Sequence, residues 1–99
     1  MVIEQALLEK VKTSVRIGHN VLDIEVVDNI QAAVQDLQIH GVVYADIDDP
    51  LVLNAVKLYA KAEYTDDPDK AETYRQRYKE LRDCLKSAEG YGWKAEVEQ

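Results

Sequence analysis

Ninety-nine residues, of which 46% are hydrophobic, predict one domain with a single modest core. Twelve Lys+Arg against nineteen Asp+Glu give a net charge of −7, which opposes sequence-independent binding of DNA through the surface as a whole. Four Gly and two Pro argue against disorder or a turn-rich β protein, and no apolar run approaches the ~20 residues that span a bilayer.

The single cysteine, Cys84, has no partner for an internal disulfide. The opening residues Met1-Val2-Ile3-Glu4-Gln5 lack a basic start followed by an apolar stretch. A signal peptide is therefore not expected, and a reducing, intracellular site of synthesis is. Charge is uneven: residues 1–20 sum to +1, residues 21–49 to −7 and residues 50–99 to −1. Between Arg16 and Lys57 there is no Lys or Arg, while Asp23, Glu25, Asp28, Asp36, Asp46, Asp48 and Asp49 all fall there.

Apolar residues recur at three- and four-residue steps, which predicts an all-α protein, a small bundle of four helices in residues 1–87 followed by a flexible C-terminal tail in 88–99. The first helix covers about residues 4–15, with Ile3, Leu7, Leu8, Val11 and Val15 on one side, and ends near Gly18. The second starts at Asn20, an acceptor for first-turn N–H groups, with Asp23 completing a box-like pair. Its stripe is Val26, Val27, Ile30, Ala33, Val34 and Leu37, and Gly41 closes it. Residues 42–48 form an acidic connection in which Val42-Val43-Tyr44 reads as a short extended piece.

Asp48-Asp49-Pro50 and Asp66-Asp67-Pro68 each place an acceptor at a cap and a proline at the first helical position, where no hydrogen bond is lost. The third helix, about residues 50–64, is apolar around much of its circumference and is expected at the centre. Substituting Leu58 or Tyr59 with Ala is then expected to cost about 2–5 kcal/mol. The fourth helix, about residues 68–87, carries a narrow seam of Ala71, Tyr74, Tyr78, Leu81 and Leu85. Arg75, Arg77, Lys79, Arg82 and Lys86 occupy its other faces, interleaved with Glu72, Glu80 and Asp83, the mixture of a solvated face more than of a DNA-reading helix. In the tail, Trp93 between glycine and charge is either folded back or an anchor for a partner, because Trp and Tyr are enriched at binding hot spots. Truncating residues 88–99 is expected to leave the bundle folded and to weaken assembly.

Catalysis needs a positioned nucleophile, base or metal, and the inventory of His19, His40, Cys84 and scattered carboxylates forms no motif. His19 and His40 bracket the second helix, ~30 Å apart at ~1.5 Å per residue, and read as surface imidazoles. Cys84, beside the seam, reads as a small packed residue. Asp46-x-Asp48 starts like a calcium loop, but Leu51 stands where Gly is needed and Lys57 where Glu is. No catalytic, cofactor-binding or metal-ligating residue is assigned, and no glycine loop for phosphate is present.

Leu7-Leu8-Glu9-Lys10-Val11-Lys12 followed by Val15-Arg16-Ile17 resembles the opening of the head-tail connector (adaptor) proteins of long-tailed bacteriophages, also called DNA-packaging or head-completion proteins. Leu22-Asp23-x-Glu25-Val26, Ile30-x-Ala32-Ala33-x-x-Asp36-Leu37 and Gly41-Val42 resemble the family's second helix and its exit. Asp49-Pro50-Leu51-Val52-x-x-Ala55-Val56-x-Leu58-Tyr59-x-Lys61-Ala62 resembles its central helix, and Tyr74-x-x-x-Tyr78-x-x-Leu81-x-x-x-Leu85 its last. The likeness covers roughly residues 7–85. Gly18 departs from a common Ser or Thr, and Glu63-Tyr64-Thr65 from a polar-Phe-Gly ending.

The resemblance implies a non-enzymatic structural subunit of phage or prophage origin. It would form a ring-shaped homo-oligomer, dodecameric in the virion, that docks under the portal protein, continues the DNA channel and offers a platform to a tail-completion or stopper protein. It implies assembly in the host cytoplasm, residence at the head-tail junction, DNA passing without sequence-specific binding, and no membrane. On that reading Asp23, Glu25, Asp28, Asp36, Asp46 and Asp48 are candidates for an acidic channel or interface face that repels phosphates. Tyr91, Trp93, Arg75 and Arg82 are candidate partner or subunit contacts, and the basic side of the last helix is a candidate complement to the acidic segment of a neighbouring copy. The alternatives are an acidic helical adaptor or regulator that binds a protein partner through Tyr91, Trp93 and the seam, and a DNA-mimic inhibitor built on clustered carboxylates.

Overall fold

The computed structural model describes residues 4–15 and 22–95, which form four helices: α1 (Gln5–Val15), α2 (Asp23–Ile39), α3 (Pro50–Tyr64) and α4 (Pro68–Lys86). The bundle is all-α, as the periodicity predicts. α3 touches each of the other three, most extensively α4, because its apolar side chains cover most of its circumference and leave the Asn54, Lys57 and Lys61 side polar. Val52, Ala55, Val56 and Ala60 are fully buried there, and each larger aliphatic side chain contributes about 1.5–3 kcal/mol on burial. Leu58 and Tyr59 are only partly buried, so the central helix is anchored by Val52, Ala55, Val56 and Ala60 and not by the positions that sequence reasoning favoured.

The caps explain where the helices begin and end. Asp49 Oδ1 accepts from the backbone N–H of Leu51 and Val52, and Asp67 Oδ1 from Asp69 and Lys70, with proline at the first helical position of both α3 and α4. α2 departs from expectation: it begins at Asp23, and its cap is Leu22, which supplies no side-chain acceptor. The cap expected at Asn20, the end of α1 at Gly18, and the positions of Ile3 and His19 lie outside the described residues. Asp23 instead turns to α1, where its carboxylate sits 2.8 Å from Lys12 Nζ. That hydrogen bond raises the Lys12 pKa.

At its other end α2 closes with paired backbone bonds, Gly41 N–H to Gln38 O and Val42 N–H to Leu37 O. Gly41 has φ of +104°, which a side chain would strain, and it lies against the Lys86 stem. Val42 and Leu37, the residues flanking this turn, are both fully buried. The expected extended piece at Val42-Val43-Tyr44 is therefore a turn in which Val42 is core.

The segment read as a tail does not trail away over residues 88–95. It folds back as a turn, with Gly90 N–H to Trp93 O, Gly92 N–H to Ala88 O and a bridge between Glu89 and Trp93. Tyr91 O accepts from Tyr44 N–H, and the Tyr91 side chain packs on the core. Gly92 is required by close approach, since a Cβ there would fall on the Lys86 carbonyl. Residues 96–99 lie outside the described residues.

Ile30→Ala, at one of the largest fully buried side chains, is expected to lower stability by about 2–5 kcal/mol in a urea titration, and Leu58→Ala by less. Gly92→Ala is expected to dislodge the C-terminal turn, read as faster amide exchange at Tyr44 while the helical circular dichroism signal persists. Removing residues 88–99 is expected to lower the melting midpoint, and an unchanged midpoint would show that the turn is not part of the fold.

Candidate functional site

Asp36, in the last turns of α2, is the hub of a polar cluster. Its Oδ2 accepts from the Tyr78 hydroxyl at 2.5 Å and from Arg82 Nη1 at 3.1 Å, both on α4. One turn on, His40 Nδ1 lies 2.8 Å from the Asp36 carbonyl oxygen and 3.3 Å from Oδ1. A carbonyl oxygen only accepts, so Nδ1 carries the proton. Arg82 stacks over the Tyr78 ring at 5.6 Å, and Tyr59 of α3 meets that ring edge-on at 5.3 Å between centroids. Burial raises the Tyr78 pKa above its ordinary value, and the Asp36 hydrogen bond adds to the effect. Burial is also the main reason that the Tyr59 pKa is raised.

A cleft of about 180 Å³ opens beside this cluster between α2, α3 and α4, with Tyr59, Glu63, Arg75, Tyr78, Lys79 and Arg82 among its walls. Arg75 and Lys79 have no ion-pair partner among the described residues, whereas the Arg82 side chain is 15% exposed and is held by Asp36. Arg82 Nε is buried without an acceptor among the described residues. With two donors of α4 pointing at it, the Asp36 carboxylate anchors α4 on α2.

The six acidic candidates do not share one face. Viewed down α2, Glu25, Asp28 and Asp36 fall within one arc, at ~100° per residue, while Asp23 points elsewhere and pairs with Lys12. Asp36 is tied to α4, which leaves Glu25 and Asp28 as the free carboxylates of that arc. Both lie close enough to raise the pKa of Tyr64 at the end of α3, although burial of that tyrosine is the larger cause. Asp46 and Asp48 sit in the connection from α2 to α3, where Asp46 Oδ1 accepts from the Asp48 N–H at 3.0 Å. The acidic segment and the basic helix do complement each other at one point, Asp36 with Arg82, but within a single chain.

Of the aromatic candidates, Tyr91 is committed to the fold. Its hydroxyl donates to Asp49 Oδ2 at 2.9 Å, which raises its pKa. One carboxylate thus caps α3 with one oxygen and clasps the C-terminal turn with the other. Trp93 donates from Nε1 to Ser87 O at 3.1 Å and remains 49% exposed. Lys94 Nζ lies 4.4 Å from the centroid of the Tyr44 ring. Cys84, expected to pack, is exposed.

Sequence reasoning missed Tyr78 and Tyr44 as site residues. The signal for Tyr78 was a hydroxyl on an apolar seam, because a buried phenol seeks an acceptor. Among the described residues, no group of three or more His, Cys, Asp or Glu side chains is placed to hold a metal ion, and no helix is long and apolar enough to cross a membrane. No protein-family model matches the chain, and neither does any curated protein or solved structure.

Tyr78→Phe is expected to cost about 1–2 kcal/mol at neutral pH, the worth of a hydrogen bond to a charged acceptor, measured by urea unfolding. Because the folded pKa of Tyr78 is raised, its stabilisation is complete below pH ~10, where tyrosine titrates in the unfolded chain, and is lost as pH rises above that. The phenylalanine variant is therefore expected to lose stability less steeply than the parent above pH ~10.

Proposed function

We propose that this protein is a structural subunit of a phage or prophage head-tail connector, assembling as a ring under the capsid portal, continuing the DNA channel and presenting a platform to the tail. The observation that carries this reading is the order and spacing of four motifs over residues 7–85, whose described residues fall in succession on α1, on α2 and its exit, on α3 with its cap, and on α4. The central position of α3, touching all three other helices, is the packing that such a series of motifs calls for.

Charge distribution supports the same reading. Glu25 and Asp28 on the outside of α2 carry like sign to DNA phosphates, and a wall of that sign keeps a passing duplex from sticking. A ring needs heterologous contacts, in which one patch meets a different patch on the next copy. Arg75 and Lys79 of α4, which have no ion pair among the described residues, form one such patch, suited to carboxylates of the next copy. No enzymatic activity forms part of this reading. It places the protein in the host cytoplasm during assembly and at the head-tail junction in the virion.

A second reading, an acidic helical adaptor for a protein partner, is favoured by Trp93, which is ordered through its N–H and still half exposed.

Native mass measured over a wide concentration range, with negative-stain imaging of large species, is expected to give closed rings, either of the chain alone or on addition of portal rings. A chain that stays monomeric and binds no portal would overturn the connector reading in favour of the adaptor. Arg75→Glu combined with Lys79→Glu is expected to weaken ring closure without changing the helical signal.

A further inference from the structure

Five of the seven large apolar side chains that stand exposed among the described residues lie at one end of the bundle: Ile39, Val43, Tyr44, Leu51 and Trp93. Topology brings them together, because the C-terminus of α2, the start of α3 and the turn after α4 share that end. We propose that this pole is a docking surface for a cationic, amphipathic segment of another protein.

The pole is built to present these side chains. Its backbone is fixed by Val42 N–H to Leu37 O, Tyr44 N–H to Tyr91 O and Gly90 N–H to Trp93 O, so little ordering remains to be done on binding. The Trp93 N–H is satisfied internally by Ser87 O, which leaves the indole free to offer apolar contact with no unpaired donor. Exposed apolar side chains gathered at one place, rather than scattered singly, mark an interaction site.

Charge selects the partner. Asp46, Asp48 and Glu89 are exposed at this pole without an ion pair among the described residues, and with Asp49 they outnumber its cations, Lys86 and Lys94. Lys94 already holds its ammonium over the Tyr44 ring, which shows that an aromatic face here accepts a cation. A second copy is the wrong occupant. The other exposed apolar pair, Leu22 and Ile24, sits beside Asp23, Glu25 and Asp28, so pairing apolar ends between copies would bring like charges together. The basic helix α4 displays no large exposed apolar side chain to meet the pole. The inference is independent of ring formation, which draws on the sides of the bundle.

The test titrates the full chain with a synthetic amphipathic peptide of leucine and lysine while following emission from Trp93, the only tryptophan. The expected result is a saturable blue shift that a leucine-glutamate peptide does not produce. Val43→Ser with Tyr44→Ser is expected to weaken binding at least about tenfold with unchanged circular dichroism. Asp46→Asn with Asp48→Asn is expected to weaken it at low salt and much less at high salt. Leu22→Ser with Ile24→Ser, at the opposite end, is expected to leave it unchanged. The proposal is overturned by the absence of a saturable shift, by equal binding of the acidic peptide, or by equal losses from substitutions at both ends. A shift produced by protein concentration alone would also overturn it, by assigning the pole to a second copy. Rings with an inert pole would sink this proposal alone, and a peptide-binding monomer that ignores portal would sink the connector reading alone.

Discussion

A helix that is apolar around most of its circumference has to be covered on most sides, and in so short a chain that constraint sets much of the rest. α3 can be enclosed only if each remaining helix gives it a face, so α1, α2 and α4 are each amphipathic and each pack on it. The acidic segment and the basic helix are consequences of the same arrangement. With their apolar stripes turned inward, α2 and α4 have only their polar faces left to offer, and those faces differ in sign.

Two polar clasps then lock elements that apolar burial leaves free to slide. Asp36 ties α2 to α4 through Tyr78 and Arg82, and Asp49 ties the start of α3 to the turn after α4 through Tyr91. Burial is indifferent to register, whereas a phenol donating to one carboxylate oxygen is not. The α2–α4 clasp draws the cleft walls together, and the Asp49 clasp holds Trp93 and Tyr44 at a common end. The surfaces proposed for ring contact and for docking thus both depend on carboxylates engaged within the chain.

The fold was legible wherever a local rule applied. Asp-Asp-Pro announced both α3 and α4 to the residue, and Gly41 announced the end of α2, because caps and left-handed turns are dictated by adjacent atoms. The start of α2 was misplaced since Leu22 makes no side-chain cap, and Asp23, which looked like the partner of a cap, answers to Lys12 on another helix. The turn over residues 88–95 was illegible for a related reason. It has no periodicity, and what orders it is a hydroxyl meeting a carboxylate forty-two positions earlier. The candidate site suffered in the same way: Asp36, Arg82 and Tyr91 were noticed for their chemistry, but their partners are remote in sequence, and partners decide whether a charged or phenolic group is free.

The position of the Asp49–Tyr91 bond has a kinetic meaning. α3 and α4 form a hairpin around the short connection at residues 65–67, and these two residues flank its open mouth. Joining them directly would mean closing a long loop, whereas zipping from the connection outward shortens that loop to almost nothing. On that route the clasp would be the last rung of the hairpin, formed on the native side of the barrier. Contacts of that kind do little to hasten folding and act instead on the rate at which the native state comes apart. On the connector reading proposed above, a subunit fastened in this way suits an assembly that has to persist long after it is made.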